Sequence, residues 1–580
     1  MSNRNYPVYK TTFIDDMRSL VEESAKKYPC QTAISFKNTP SDKEVVRISF
    51  TRWRDDVRHL GTSLISRGFR EKKIALIGEN SYEWCCSFFS IMAIGAVVVP
   101  IDRELAVKDI EGIINATSCE AVIYGKTMVS KLAVILADGN LPSVRLLIAF
   151  NDESCASVSA KVDDREILTV FNLEQEGREL FSNGDNSYYD YKIDPHRLAS
   201  IVYTSGTTGK GKGVMLSQAN IGLDMTLGMY NFDITRKTLH VLPPHHTFGS
   251  TVNYVGHLSQ GCEVYISSGL KHVSEEIREQ QPTHLILVPA FLEAMNKAIW
   301  STARKNGKES LLKAMMRFSN FLMKIGIDIR RKLFSSVLEA FGGKLELIIC
   351  GGAKLDDEII RTFDSIGITI LNGYGITECS PLISANRNKY RKPGSVGTPI
   401  LACNVRIDDP DENGEGEICV KGPNVMLGYY NDPEATAAAF DSDGFFRTGD
   451  YGRLDEEGWI YITGRKKNLI ILSNGKNVYP EEIEADLQKV EGVAEVVVYA
   501  GESRVQKDKI TIVAEIFPDQ SVLDSLGITD PQDYFEKQVA RINAKMPPYK
   551  AVRRVRLRDR EFEKNTSRKI VRFVIDRNLD

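Results

Sequence analysis

Short apolar runs alternate with segments of helical period along most of the 580 residues, and this alternation limits the fold more than any other feature. Residues 15–27 and 50–68 place apolar side chains near a 3.6-residue repeat and predict helices. Residues 32–36 and 45–49 predict a strand pair, 73–77 an apolar strand ending at Gly78, and 82–95 a further helix. Strand–helix pairs recur near Ala121, Leu146, His284 and Leu345. The pattern predicts an α/β chain with stacked, mixed or largely parallel sheets. A chain this long exceeds one ordinary core, so two or more domains are expected. The charged joint Arg465-Lys466-Lys467 marks the predicted boundary. A large domain is expected over 1–466 and a small α+β domain over 467–580, with strands near 493–499 and 510–516. Residues 302–342 interrupt the alternation as a basic helical insert.

A formal net charge of −3 gives no reason to expect nucleic acid as a partner. The ten cysteines include no CxxC pair and no zinc spacing, so reduced, buried thiols and a cytoplasmic setting are expected. Residues 1–10 lack the apolar centre of a signal peptide. The longest apolar stretch, 87–101, falls short of the roughly 20 residues a membrane span needs and predicts a buried helix running into a buried strand.

The strongest chemical segment is Ile201-Val202-Tyr203-Thr204-Ser205-Gly206-Thr207-Thr208-Gly209-Lys210-Gly211-Lys212-Gly213. An apolar strand runs into glycines, hydroxyls and lysines, which suit phosphate oxygens through close backbone approach, extra donors and positive charge. The Walker pattern nearly fits, but Gly213 stands where Ser or Thr would hold magnesium.

This segment resembles the phosphate-binding segment of the adenylate-forming (AMP-binding) superfamily, with Gly211 where the usual form has proline. Further resemblances follow in family order, most like bacterial long-chain fatty acyl-CoA synthetases. Asn372-Gly373-Tyr374-Gly375-Ile376-Thr377-Glu378 is similar to the adenine segment, and Gly351-Gly352-Ala353 to the strip along the purine. The resemblance implies that Tyr374 stacks on adenine, Thr377 lies near the α-phosphate, and Glu378, helped by Thr207, binds Mg2+. Phe446-Arg447-Thr448-Gly449-Asp450 resembles the ribose segment, with Asp450 on the ribose hydroxyls. Arg465 would reach the nucleotide and Lys467 would be the pivot of a mobile C-terminal domain. Near the end of the chain, Lys569 matches the adenylation lysine, although Arg568 stands where the family has glycine. Ser473-Asn474-Gly475-Lys476 would line the pantetheine tunnel in the thioester step.

What the resemblance implies is a two-step ligase using ATP, Mg2+ and CoA. A carboxylic acid becomes acyl-AMP with release of pyrophosphate, and the acyl group then passes to a thiol. Leu242-Pro243-Pro244-His245-His246-Thr247-Phe248-Gly249 resembles the segment beside the acyl pocket, with His246 as the gating aromatic and His245 equally readable as a packed histidine. Amino-acid-activating relatives have Asp where this chain has Gly249, so a buried ammonium would lack its partner. The insert 302–342 and residues 50–100 resemble those of bacterial long-chain fatty acyl-CoA synthetases, and this resemblance implies a medium- or long-chain fatty acid as the substrate. An acyl carrier protein as acceptor, an aryl acid, and a non-catalytic nucleotide-binding regulator are the alternatives. The insert's apolar residues Leu311, Leu312, Met315, Phe318 and Leu322 lie near helical spacing beside its basic ones. A helix packed on the large domain with a solvated basic face is the favoured reading, and peripheral membrane contact is the other.

Overall fold

Side-chain caps start many of the helices that the periodicity predicts. Asp16, Ser49 and Ser81 accept backbone N–H bonds at the heads of Met17–Lys27, Phe50–Ser66 and Tyr82–Ala93. Thr169 and Ser217 form capping boxes with Asn172 and Asn220. The computed structural model describes residues 9–579 except 138, 160–164, 205–210, 235, 473–475, 503–509 and 565–569, and leaves the side chains of 156, 157 and 159 undescribed.

The chain divides into two compact units, Met1–Asn404 with Val420–Gly444, and Val405–Cys419 with Phe445–Asp580. Among the described residues the first unit holds a nine-stranded and an eight-stranded sheet. Each sheet has six consecutive parallel strands, as the alternating pattern predicts. In the nine-stranded sheet they run Thr369–Gly375, Leu347–Cys350, His284–Leu287, Lys237–His240, Glu263–Ile266 and Thr32–Phe36. Antiparallel strands finish its edges, including Val46–Ser49 beside Thr32–Phe36. In the eight-stranded sheet the parallel strands run from Leu198–Thr204 through Val97–Ile101, Lys73–Ile77, Ala121–Tyr124 and Leu146–Ala149 to Glu166–Thr169.

Helices Met17–Lys27, Phe50–Ser66 and Tyr82–Ala93 touch one another, and between them they reach strands of both sheets. This position explains why every residue from Trp84 to Ala93 is buried. The strand Val97–Ile101 is buried throughout, so the long apolar stretch is indeed a buried helix followed by a buried strand. No helix among the described residues is long and apolar enough to cross a membrane.

Against Phe50–Ser66 lies helix Val170–Ser182, which carries a buried carboxyl, Glu174. Burial, reinforced by the charge of Asp56 and opposed by Arg52, raises Glu174 to about 8. The folded chain therefore binds this proton more tightly than the unfolded chain does. Its stabilising contribution is complete below the ordinary carboxylate range and is lost as pH rises through about 8. Glu174→Gln is expected to raise the denaturant midpoint relative to the parent at pH 8.5 but not at pH 4. Equal midpoint differences at both pH values would contradict this assignment.

The basic insert is several helices rather than one. Pro289–Lys305 is followed by Glu309–Lys324, then by the short Arg330–Leu333 and Ser335–Glu339. Arg330 and Arg331 turn inward and donate to the carbonyls of Asp364, Leu345, Gly343 and Gly367. These two charges fasten the insert to helix Asp357–Ile366 and to the loops that precede strands Leu347–Cys350 and Thr369–Gly375.

The second unit contains a four-stranded sheet with Asn404–Asp408, Gly416–Lys421, Phe446–Leu454 and Ile460–Arg465. It also contains a three-stranded sheet of Val493–Gly501, Thr511–Pro518 and Arg554–Leu557. Helices Pro480–Leu487 and Pro531–Asn543 contribute Ile483, Phe535 and Val539 to the core with Val498, Ala514 and Ile516. The strands expected near 493–499 and 510–516 are the first two of the three-stranded sheet.

Candidate active site

In the first unit the two purine-type segments are neighbours because their strands are. Cys350 lies opposite Asn372 in parallel register, so Gly351-Gly352-Ala353 leaves the sheet beside Asn372-Gly373-Tyr374-Gly375. Tyr374 is buried, whereas Thr377 and Glu378 are half-exposed in the short turn Thr377–Cys379. Gly375 has a steric cause, since a Cβ there would lie 2.0 Å from the Pro381 carbonyl oxygen.

The phosphate-type segment begins at the end of Leu198–Thr204 and returns as Lys212–Ser217, with Thr204 opposite Lys212 in antiparallel register. A Walker loop leads from a strand into a helix. Here Lys212 opens a strand, so the near-fit to the Walker pattern is not a P-loop. Ser205, Gly206, Thr207, Thr208 and Gly209 lie outside the described residues.

Lys212 and Glu378 meet through one residue. The Lys212 ammonium sits 4.6 Å from the centre of the Tyr429 ring. The Tyr429 hydroxyl donates to Glu378 Oε1 at 3.1 Å. The Glu378 carbonyl accepts from Met426 N–H at 2.8 Å, which fixes the turn against the strand Gly428–Tyr429. Burial first, and the Glu378 charge second, push the Tyr429 phenol above its usual range, so it stays protonated and donates.

The acyl-type segment runs into a helix of wide, π-type turns, Phe248–Gly256. The Phe248 ring lies 3.3 Å from where a Cβ on Gly351 would sit. His245 is buried, with Nε2 3.3 Å from Asp102 Oδ2, as a packed histidine would be. His246 is half-exposed beside it, ring centres 4.3 Å apart. Gly249 leaves no room for any side chain, because a Cβ there would lie 2.0 Å from the Pro243 carbonyl oxygen.

In the second unit Asp450 and Arg465 face each other across antiparallel strands, with Arg465 Nε 2.8 Å from Asp450 Oδ1. Asp450 is buried and its N–H donates to Thr448 Oγ1. Lys466 pairs with Glu417 at 2.7 Å. Lys467 lies in the tight turn Lys466–Asn468, where partial burial and the guanidiniums of Arg465 and Arg572 hold its ammonium below the usual lysine range. Lys476 places its ammonium 4.5 Å from the centre of the Tyr549 ring. Ser473, Asn474, Gly475 and Lys569 lie outside the described residues. The flanks of Lys569 are fixed: Lys564 and Ile570 form an antiparallel bridge, and Val571 N–H donates to the Glu563 carbonyl at 2.8 Å.

Residues 21–430 match the AMP-binding enzyme family. The chain belongs to that family. Among curated relatives, long-chain-fatty-acid–CoA ligase 1 of Cavia porcellus is 27% identical over 545 residues, covering 88% of this chain and 75% of that protein. A chloroplastic long-chain-fatty-acid–[acyl-carrier-protein] ligase of Arabidopsis thaliana is 26% identical, covering 83% and 74%. Among solved structures, ATP-bound MatB from Rhodopseudomonas palustris shares the fold with a TM-score of 0.72 at 22% identity, covering 97% of this chain and 98% of that one. In this AMP-binding enzyme, sequence reasoning missed Tyr429 and the Asp102 partner of His245. Tyr429 lies 51 residues from Glu378, and no local pattern announces their contact.

Proposed function

We infer that this AMP-binding enzyme activates a medium- or long-chain fatty acid as acyl-AMP, releasing pyrophosphate, and then transfers the acyl group to CoA. The observation that carries the reading is the carboxylate–phenol–ammonium line Glu378, Tyr429, Lys212, where the adenine-type turn meets the end of the phosphate-type hairpin. In the proposed roles Thr204, Lys212 and the segment 205–209 hold the phosphates, Tyr374 stacks on the purine along Gly351–Ala353, and Thr377 lies at the α-phosphate. Asp450 accepts the ribose hydroxyls, Arg465 orients Asp450 and the nucleotide, and Lys467 is the pivot between a domain 1–466 and a domain 467–580. Lys569 offsets the charge developing between carboxylate and phosphate, His246 gates the acyl pocket, and Ser473 to Lys476 line the thiol path.

Glu378 fits a magnesium ion, which on nucleotides needs only one or two carboxylates beside the phosphate oxygens. Bound there, the ion supplies charge that favours attack on the α-phosphate. No protein nucleophile is needed, so positioning and electrostatics do the work. The two curated relatives described above are named for long-chain fatty acids, which supports that substrate class. The closed position at Gly249 supports it too, because no carboxylate can stand there to hold an amino group. Transfer to an acyl carrier protein is the second reading, favoured by the name of the Arabidopsis relative.

Tyr429→Phe removes one hydrogen bond to a carboxylate and leaves the ring under Lys212. Acyl-AMP formation is expected to fall about tenfold, the worth of such a bond. An unchanged rate at saturating Mg2+ and ATP would show that the Tyr429 hydroxyl has no part in acyl-AMP formation. The proposed reaction itself is tested by mass spectrometry of products from palmitate, ATP, Mg2+ and either CoA or a carrier protein. Palmitoyl-CoA supports the first reading and acylated carrier protein the second.

A further inference from the structure

Helix Glu309–Lys324 turns two apolar faces outward from its axis, and only one of them meets the protein. Leu312, Met316 and Ser319 are buried against the core of the first unit. Leu311, Phe318, Phe321 and Ile325, at the helix end, recur at intervals of seven, three and four residues and form a second stripe. All four are between 54% and 61% exposed. On a helix of 3.6 residues per turn, Lys313, Arg317 and Lys324 form a row along one flank of that stripe. The segment 302–342 carries nine basic residues against three acids, in a chain whose net charge is −3. One of those acids, Glu309, already pairs with Arg304 and Lys313, and another, Asp328, pairs with Arg330.

We propose that this face seats the enzyme on an anionic lipid surface, with Phe318 and Phe321 in the interfacial layer and the basic row against the headgroups. Isolated exposed apolar side chains are ordinary, but an apolar stripe with two aromatic rings, edged by cations, is the pattern of a helix lying in a membrane interface. Charge complementarity selects the occupant. A second copy would bring the same basic row against itself, whereas an anionic bilayer offers both an apolar layer and opposite charge. The inference stands on this helix and not on the acid assigned above. The helix packs on the large unit through Leu312 and Met316, and the proposal concerns its outer face alone.

The test is co-sedimentation of the full chain with vesicles of phosphatidylcholine alone and of phosphatidylcholine with phosphatidylglycerol at two to one. Binding to the anionic vesicles is expected, weakening as salt is raised. The double variant Arg317→Gln/Lys324→Gln should lower partitioning by about 25-fold, at roughly fivefold per charge. Phe318→Ser/Phe321→Ser should abolish partitioning while leaving the unfolding midpoint and soluble-substrate turnover unchanged, since both rings are exposed. Three results would overturn the proposal: no binding to anionic vesicles, equal binding by the phenylalanine variant, or a concentration-dependent dimer that these substitutions dissolve. The last would assign the stripe to a second copy.

Discussion

Replacing Lys569 by alanine is expected to reduce fatty-acid-dependent pyrophosphate release by about 10²-fold or more, the scale of losing one preorganised charge-stabilising donor. Thioester formation from supplied acyl-AMP and CoA should survive the same substitution. The proposed division of labour requires this asymmetry, with Lys569 serving the first half-reaction and Ser473 to Lys476 the second. On either side of 565–569, Lys564 and Ile570 form an antiparallel bridge, and the half-buried Ile570 packs against the cluster of Val497, Tyr499 and Phe562. Removing a side chain between two fixed flanks should leave the fold unchanged. Circular dichroism and the unfolding midpoint provide that control. Equal loss in both half-reactions would refute the split of roles.

Gly249→Ala is expected to be costly in a different way. The added Cβ would meet Pro243 O at 2.0 Å, Pro243 C at 2.8 Å and Pro244 Cα at 3.2 Å. These are backbone atoms and cannot rotate aside as a flexible side chain can. Relief requires moving either the Pro243-Pro244 segment or the first turn of Phe248–Gly256, where the Gly249 N–H donates to the His246 carbonyl at 2.8 Å. Overpacking of this kind costs about 1–3 kcal/mol or more. It would also displace His246 and Phe248, so stability and acid activation should fall together, read as a lower thermal midpoint and a lower rate of pyrophosphate release. Gly249→Asp should behave at least as badly and should confer no activity on α-amino acids. A stable variant that gained such activity would contradict the steric reading.

The parallel architecture was legible because buried parallel strands are short apolar runs and the intervening helices keep a 3.6-residue period. The tract from Tyr82 to Ile101 is the clearest case, a buried helix followed by a wholly buried strand. Antiparallel edges were less visible. Strand Gly428–Tyr429 is two residues long and pairs with Val214 and Met215, far away in sequence. Contact at such separation leaves no periodic trace, which is why Tyr429 escaped notice while Glu378, inside a contiguous motif, did not. Helix Glu309–Lys324 posed the opposite difficulty. Its two apolar stripes both satisfy helical spacing, so periodicity alone cannot assign Leu312 inward and Phe318 outward. Gly249 read as a missing carboxylate in sequence, and the fold adds a steric reason for glycine.

Adenylation of a fatty acid is measured as pyrophosphate release from the purified enzyme with ATP and Mg2+, across acids from acetate through octanoate to palmitate, plus benzoate and α-amino acids. Release is expected to depend on medium- or long-chain fatty acids and to be strongly reduced by Lys569→Ala. Release with α-amino acids or benzoate in place of fatty acids would contradict the assigned substrate class, and no release with any acid would contradict the adenylation chemistry itself.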